Sequence, residues 1–209
     1  MKRIIAAVAL FAVISANAQS EKYTQAMKAN LAKFETAKTV EDFQALAATF
    51  ERIADAEKTQ WLPYYYAGLA LSTAGWIEGG NLDKDINAGK IKAFCDKAEA
   101  IEKNSEIYTL RNMAATQQMI VDPQNRWMSY GQEAAKALAK AKELDPNNPR
   151  IYYLEAMGIF GTPEQFGGGK ANAKPVFEKA VELYKKETPK PMYPDWGKKE
   201  AEAKLAECQ

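Results

Sequence analysis

The sequence contains no histidine among its 209 residues. Without histidine, the chain lacks Ser–His and Cys–His catalytic pairs, imidazole metal ligands and a side chain that titrates near neutral pH. An excess of one charge is also missing, because 28 Lys and Arg residues stand against 27 Asp and Glu residues. The chain therefore offers no net field to attract nucleic acid or an anionic membrane surface.

Long apolar runs are missing beyond the N-terminus. Lys2 and Arg3 precede a charge-free stretch at 4–15, and Ala16 and Ala18 place small residues before a cleavage point. The 12 residues of that stretch would rise about 18 Å as a helix, less than the roughly 30 Å apolar core of a bilayer. The pattern predicts a signal peptide at 1–18, cleaved after Ala18; the alternative is a buried N-terminal helix. A periplasmic or secreted protein without stable membrane insertion is expected.

The rest of the chain, 19–209, reads as a single all-α domain. Apolar residues recur at spacings of three and four, and no alternating strand pattern persists. Thr39 and Asp42 have the spacing of a capping box that opens a helix, and Asp145-Pro146 marks the end of another.

A repeat of 44 residues runs through this domain, since Tyr64, Tyr108 and Tyr152 are spaced 44 apart. We expect these tyrosines to pack inside their repeats. A second pattern, made of three residues, follows each tyrosine. Its spacing places all three residues on one face of a helix. Its copies are Ile91/Cys95/Ala98, Ala134/Leu138/Ala141 and Ala173/Phe177/Ala180, with a weaker copy at Leu46/Phe50/Ile53. Each unit is therefore predicted to be a helical hairpin that buries its apolar face by stacking on its neighbours.

These motifs resemble those of tetratricopeptide-repeat (TPR) proteins. Ala67-Gly68 stands at the small position of that family's first helix, and Ala98, Ala141 and Ala180 stand at the small position of its second. The period departs from the family's, which is about 34 residues. The resemblance extends to secreted bacterial repeat proteins of uncharacterised activity, and it implies a right-handed superhelical stack of antiparallel helical hairpins, a TPR-like α-solenoid.

The predicted hairpins have approximate bounds, and a C-terminal helix follows them. The bounds are 20–57, 61–103, 105–144 and 149–187 for the hairpins and 195–208 for the helix.

The TPR resemblance also implies a concave groove lined by the fifth and ninth positions of each first helix. Carried over to this chain, the partner-binding residues are Tyr65, Leu69, Thr109, Met113, Tyr153 and Met157. This aromatic and methionine-containing stripe suits an apolar or extended peptide partner. The alternative is that the N-terminal hairpin or the long loops cover it.

Two loops invite a ligand interpretation. The glycines of Phe166–Lys170 resemble a phosphate loop, but Glu164 and Ala171 stand where a Walker motif needs glycine and a hydroxyl. We expect a structural turn with positive φ, and a helix starting near Asn172 so that Pro175 falls in its first turn.

The second loop spaces Asp83, Asp85 and Asn87 like calcium ligands. Ala88 and Phe94 then replace the glycine and the bidentate glutamate that a calcium loop needs. A helix cap is the expected role, and no metal or cofactor site is predicted.

Cys95 is expected to be buried, and Cys208 to be a free thiol too distant to bridge it.

Two functions follow from these patterns, and neither is enzymatic. The first is an exported scaffold or adaptor that binds a protein or peptide, and no nucleic acid, through the groove. The second is a soluble small-molecule-binding accessory of an envelope or uptake system, in which the connections at 76–88, 121–130 and 161–170 close over a ligand. Trp76, Trp127 and Phe166 would form the walls of that site. The remaining alternative is an enzyme that uses a pair of carboxylates, which need no sequence proximity, and no motif in the sequence favours it.

Overall fold

The computed structural model describes residues 21–209, which form helices and connections without a β-strand. The predicted signal peptide at 1–18 lies outside the described residues. Within the part of the chain that the structure describes, no helix is both long and apolar enough to cross a membrane.

Helix α1 covers residues 21–34. The helices that follow are α2 (Val40–Glu57), α3 (Leu62–Ala74), α4 (Lys84–Glu99), α5 (Ser105–Met119), α6 (Pro123–Arg126), a π-helical turn (Trp127–Gly131), α7 (Gln132–Leu144), α8 (Pro149–Gly161), a 3-10 turn (Glu164–Phe166), α9 (Lys170–Lys186) and α10 (Lys198–Glu207).

Local signals in the sequence set several of these bounds. Thr39 and Asp42 form the reciprocal capping box at the start of α2, which confirms that prediction. Helix α7 ends at Leu144 with Asp145 as its C-cap, as the Asp-Pro pair indicates.

The predicted start of α9 near Asn172 is wrong. The helix begins at Lys170, and Pro175 lies inside it. Proline has no N–H, so the carbonyl of Ala171 loses its helical partner. Both Ala171 and Pro175 are exposed, so water can hydrate that carbonyl and the early start is tolerated.

Helices that follow one another along the chain pack together: α2 on α3, α3 on α4, α4 on α5, α5 on α7, α8 on α9 and α9 on α10. Packed neighbours joined by short connections run antiparallel. The connections therefore alternate between two ends of the helix array. One end carries 75–83, 120–131 and 162–169; the other carries 100–104, 145–148 and 187–197.

Small residues allow this close packing. Ala98, Ala141 and Ala180, the last residues of the repeated pattern, each have 0% exposed surface. Cys95 is also fully buried, as predicted. Cys208 is buried near Ala156, and the two thiols form no disulfide.

Candidate ligand-binding edge

The six residues of the predicted groove differ in accessibility. Tyr65, Leu69 and Thr109 are buried, with no more than 5% of any of them exposed. The partly exposed members are Met113, Tyr153 and Met157. Half of the predicted stripe therefore contacts only the protein itself, and partner binding along the six residues stays a prediction.

A C-terminal segment covers the start of this stripe. We call residues 188–197, between α9 and α10, the strap. The hydroxyl of Tyr66 donates a hydrogen bond to the carbonyl of Met192 at 2.9 Å, and the indole N–H of Trp196 donates to the hydroxyl of Tyr65 at 2.8 Å. The strap thus occupies the surface beside the first helix of the first repeat.

A buried ion cluster lies beside the strap. The side chain of Arg150 is only 4% exposed and pairs with both Glu106 and Glu187. Asn148 donates to Glu106 at 2.7 Å, and the guanidinium of Arg150 lies 5.9 Å from the Trp196 ring centre. Burial raises the pKa of Glu106. Because both carboxylates and the guanidinium are partnered, we interpret this cluster as one that stabilises the fold and does not bind a ligand.

The opposite end of the helix array is apolar. Among residues 21–209, the exposed large hydrophobic side chains all belong to its connections or to the first turn of α4; they are Trp76, Ile86, Val121, Trp127, Met128 and Phe166. We call these six residues the apolar edge. Their exposed fractions run from 46% for Trp76 to 75% for Phe166. Contiguous exposed apolar surface marks binding sites, and the structure brings two of these connections into contact through Arg126 and Asp85.

Polar contacts tie two of the connections together. Nη1 of Arg126 donates to both carboxylate oxygens of Asp85, at 2.8 and 2.9 Å, and to the carbonyl of Gln118 at 3.1 Å. The hydrogen bond from Arg126 holds the pKa of Asp85 below its ordinary value. These contacts bring the start of α4 against α6, so Ile86 and Trp127 belong to neighbouring elements.

Cations accompany the aromatic rings at this end. The amine of Lys84 lies 5.6 Å from the Trp76 ring centre. Lys92 and Arg126 lie 5.4 and 5.7 Å from the ring centre of Tyr130. Lys92 and Arg126 also pair with Glu133 and Asp85, so Lys84 is the cation that lies beside a ring of the apolar edge. A cation beside an exposed aromatic face suits an aromatic ligand that carries acidic groups.

The backbone is irregular where two edge residues lie. Trp127 and Met128 begin the π-helical turn, and Ser129 donates to the carbonyl of Arg126 at 3.0 Å. Turns of this kind inside helical segments are frequent at functional sites. Here the wider turn presents Trp127 and Met128 to solvent, with 55% and 60% of their surface exposed.

The glycine loop is a structural turn, as predicted. Gly167 and Gly169 have φ of 84° and 90°, a region that disfavours residues with a Cβ. The amide of Asn172 donates to the carbonyls of Gly167 and Gly168. This geometry leaves Phe166 at the tip of the turn.

The Asp83 motif is a helix cap, also as predicted. The carboxylate of Asp83 accepts from the N–H groups of Asp85 and Ile86, and the amide of Asn87 is buried against Leu71 and Gln117. These residues organise the start of α4 beside Trp76.

Comparison with known proteins identifies a relative. The solved structure of the HusA haemophore from Porphyromonas gingivalis is 35% identical to this chain, with a TM-score of 0.81 over 90% of this chain and 92% of that one. This chain belongs to the family of that haemophore. No protein-family model matches the chain, and no curated protein matches it.

Sequence reasoning named three members of the apolar edge, Trp76, Trp127 and Phe166, and missed the others. Ile86, Val121 and Met128 lie in or beside the same connections. Their signal was available, because bulky apolar residues in connections between helices have no obvious core to join. The placement of Arg126 beside Asp85, 41 residues away, carried no such signal.

Proposed function

We propose that this protein captures haem outside the cytoplasm, binding the macrocycle against the apolar edge. The observation that carries the proposal is the set of exposed rings and aliphatic side chains at one end of a chain that belongs to a haemophore family. A haemophore is a haem-carrying protein. This corresponds to the small-molecule function inferred from the sequence, and the relationship favours it over the protein or peptide adaptor.

The chemistry of the edge fits such a ligand. A porphyrin is a flat apolar ring with acidic side chains. Trp76 and Trp127 offer flat faces; the amine of Lys84 lies over the Trp76 ring, and Arg126 directly precedes Trp127 in the chain. Aromatic pairs contribute about 0.5–1.5 kcal/mol beyond the area they bury. The chain has no histidine, so iron coordination through imidazole is impossible. The exposed thioether of Met128 lies at the edge itself.

The test is a titration of the mature chain with haem, followed by Soret absorbance and tryptophan fluorescence. The double variant Trp76→Ala/Trp127→Ala should bind haem about tenfold more weakly than the wild type, because two stacking faces are lost. Tyr152→Ala serves as the control, since this partly exposed ring lies at the opposite end, where it donates to the carbonyl of Pro146. It should bind haem as the wild type does.

Two methionines of the predicted groove distinguish haem binding at the apolar edge from haem binding in the groove. Met113 and Met157 are partly exposed, so Met113→Ala/Met157→Ala can be compared with the tryptophan variant. Loss of haem binding in the methionine variant, with full binding in the tryptophan variant, would place the ligand in the groove and overturn the edge proposal.

We also infer that the helices stack as a right-handed TPR-like superhelix and that residues 1–18 direct export. Two observations support the stacking: α3 packs on α5 and α5 on α8, and Glu106 pairs with Arg150, 44 residues and one repeat later. Cleavage after Ala18 is tested by the N-terminal sequence of the protein recovered from a periplasmic fraction or from the medium.

A further inference from the structure

The side chain of Arg126 is held from one side only. Its three hydrogen bonds all come from Nη1. Within residues 21–209, neither Nε nor Nη2 of Arg126 donates a hydrogen bond. The side chain of Arg126 is 29% exposed, and the residue lies at the end of α6, directly before Trp127.

A guanidinium held in this way is prepared for a second carboxylate. Asp85 fixes its position through Nη1, and the planar fork formed by Nε and Nη2 can donate two parallel hydrogen bonds to one acidic group. The Tyr130 ring lies 5.7 Å from its central carbon and restricts its movement on one face. Because the fork is oriented before the ligand arrives, little side-chain entropy is lost on binding.

We propose that Arg126 binds a carboxylate of the ligand while Trp127 contacts the ligand's apolar face. The proposal rests on the proposed function and specifies its ligand class: a flat aromatic molecule with at least one free carboxylate near its edge. Asp85 is then a positioning residue, which holds the arginine without touching the ligand. Lys84 lies over the ring of Trp76 and not beside Arg126 in the chain, and it is not required for the contact between Arg126 and the carboxylate.

The experiment compares two iron-free probes, protoporphyrin IX and its dimethyl ester. Both present the same ring, and only the first has free carboxylates. The wild type should bind the diacid about tenfold more tightly than the diester, as expected for a charge-assisted hydrogen-bonded pair. Arg126→Gln should remove this preference by weakening diacid binding and leaving diester binding unchanged.

Asp85→Asn is the matched comparison, because it weakens the same contact between α4 and α6 but keeps the positive charge of Arg126. Because it loosens the contact that orients Arg126, it should lower the preference for the diacid by less than Arg126→Gln does. Arg52→Gln, which changes an exposed arginine on α2, should keep the full preference. Circular dichroism shows whether each variant is folded. If Asp85→Asn loses the preference as fully as Arg126→Gln does, the arginine acts only by tying the connections and the proposal is wrong.

Two further outcomes separate this proposal from the function on which it rests. Equal binding of both probes by the wild type, lost in the Trp76→Ala/Trp127→Ala variant, would overturn the role of Arg126 and leave the porphyrin site standing. Absence of binding by either probe and by haem would overturn both.

Discussion

The two ends of the helix array differ in the side chains that they bury and in those that they expose. At the end that carries 187–197, Arg150 is buried and pairs with Glu106 and Glu187, and the buried hydroxyls of Tyr65 and Tyr66 form hydrogen bonds to the strap. At the end that carries 75–83 and 120–131, about half of the surface of Trp76 and of Trp127 is exposed to solvent. One end places polar groups inside, and the other leaves apolar groups outside.

This contrast separates stability from binding. Polar groups inside a protein stabilise the fold only when every partner is present, so removing one of them is costly. Apolar groups in water contribute little to the fold, and their retention points to a ligand. Substitutions in the buried ion cluster should therefore change the free energy of unfolding, and substitutions at the apolar edge should change haem binding.

The largest effect is expected from Arg150→Met. The change leaves Glu106 and Glu187 buried without a cation and should lower the free energy of unfolding by about 3–5 kcal/mol. Urea unfolding followed by circular dichroism measures it, with Arg52→Met as an exposed control. An unchanged unfolding midpoint would mean that the cluster does not stabilise the fold.

The same variant has a pH dependence of defined sign. Burial raises the pKa of Glu106 above its ordinary value of 4.5, so the folded state binds its proton more readily than the unfolded state does. Loss of Arg150 removes the charge that opposes this shift. Part of the lost stability should therefore return as pH falls through the raised pKa toward 4.5. Stability that falls further over this window would contradict the assignment.

An intermediate effect is expected from Ala141→Leu. Ala141 is fully buried near the end of α7, and the larger side chain should overpack the helix contact at a cost of about 1–3 kcal/mol. Ala139→Leu is the matched control, since it adds the same atoms at an exposed position on the same helix. Equal unfolding midpoints for the two variants would show that this face is not tightly packed.

The smallest effect on stability is expected at the apolar edge. Trp76→Ala and Trp127→Ala should each change the free energy of unfolding by less than about 0.5 kcal/mol, because about half of each residue is already exposed. Thermal unfolding in the absence of ligand measures this. A loss of several kcal/mol from either variant would remove the contrast between the two ends.

The helices were predictable because their signals are local. The capping box at Thr39, the stop at Asp145 and the buried alanines of the repeat follow from short-range patterns. The pairing of Glu106 with Arg150 was also within reach, since opposite charges stand 44 residues apart at the same point of the repeat.

The strap was not predictable in this way. Trp196 contacts Tyr65, which is 131 residues earlier in the chain. Trp196 stands one 44-residue period after Tyr152, but that spacing predicts a position in the repeat and not a contact with Tyr65. The groove residues were inferred from the TPR resemblance, which carries no information about a segment that folds back over them. The apolar edge was partly predictable, because its residues interrupt polar connections, but the anchoring of Arg126 by Asp85 depends on how two connections meet.

The strap also has a consequence for how the chain folds. Arrays of helical repeats whose contacts are local can form and melt one unit at a time. The bond from Trp196 to Tyr65, together with the edge-to-face contact of Tyr193 with Trp61, joins the strap after α9 to the repeat that begins with α3. Such long-range closure slows folding and couples distant helices into one cooperative unit. The amides of α3 therefore gain their full protection from hydrogen exchange only after the C-terminal residues have docked.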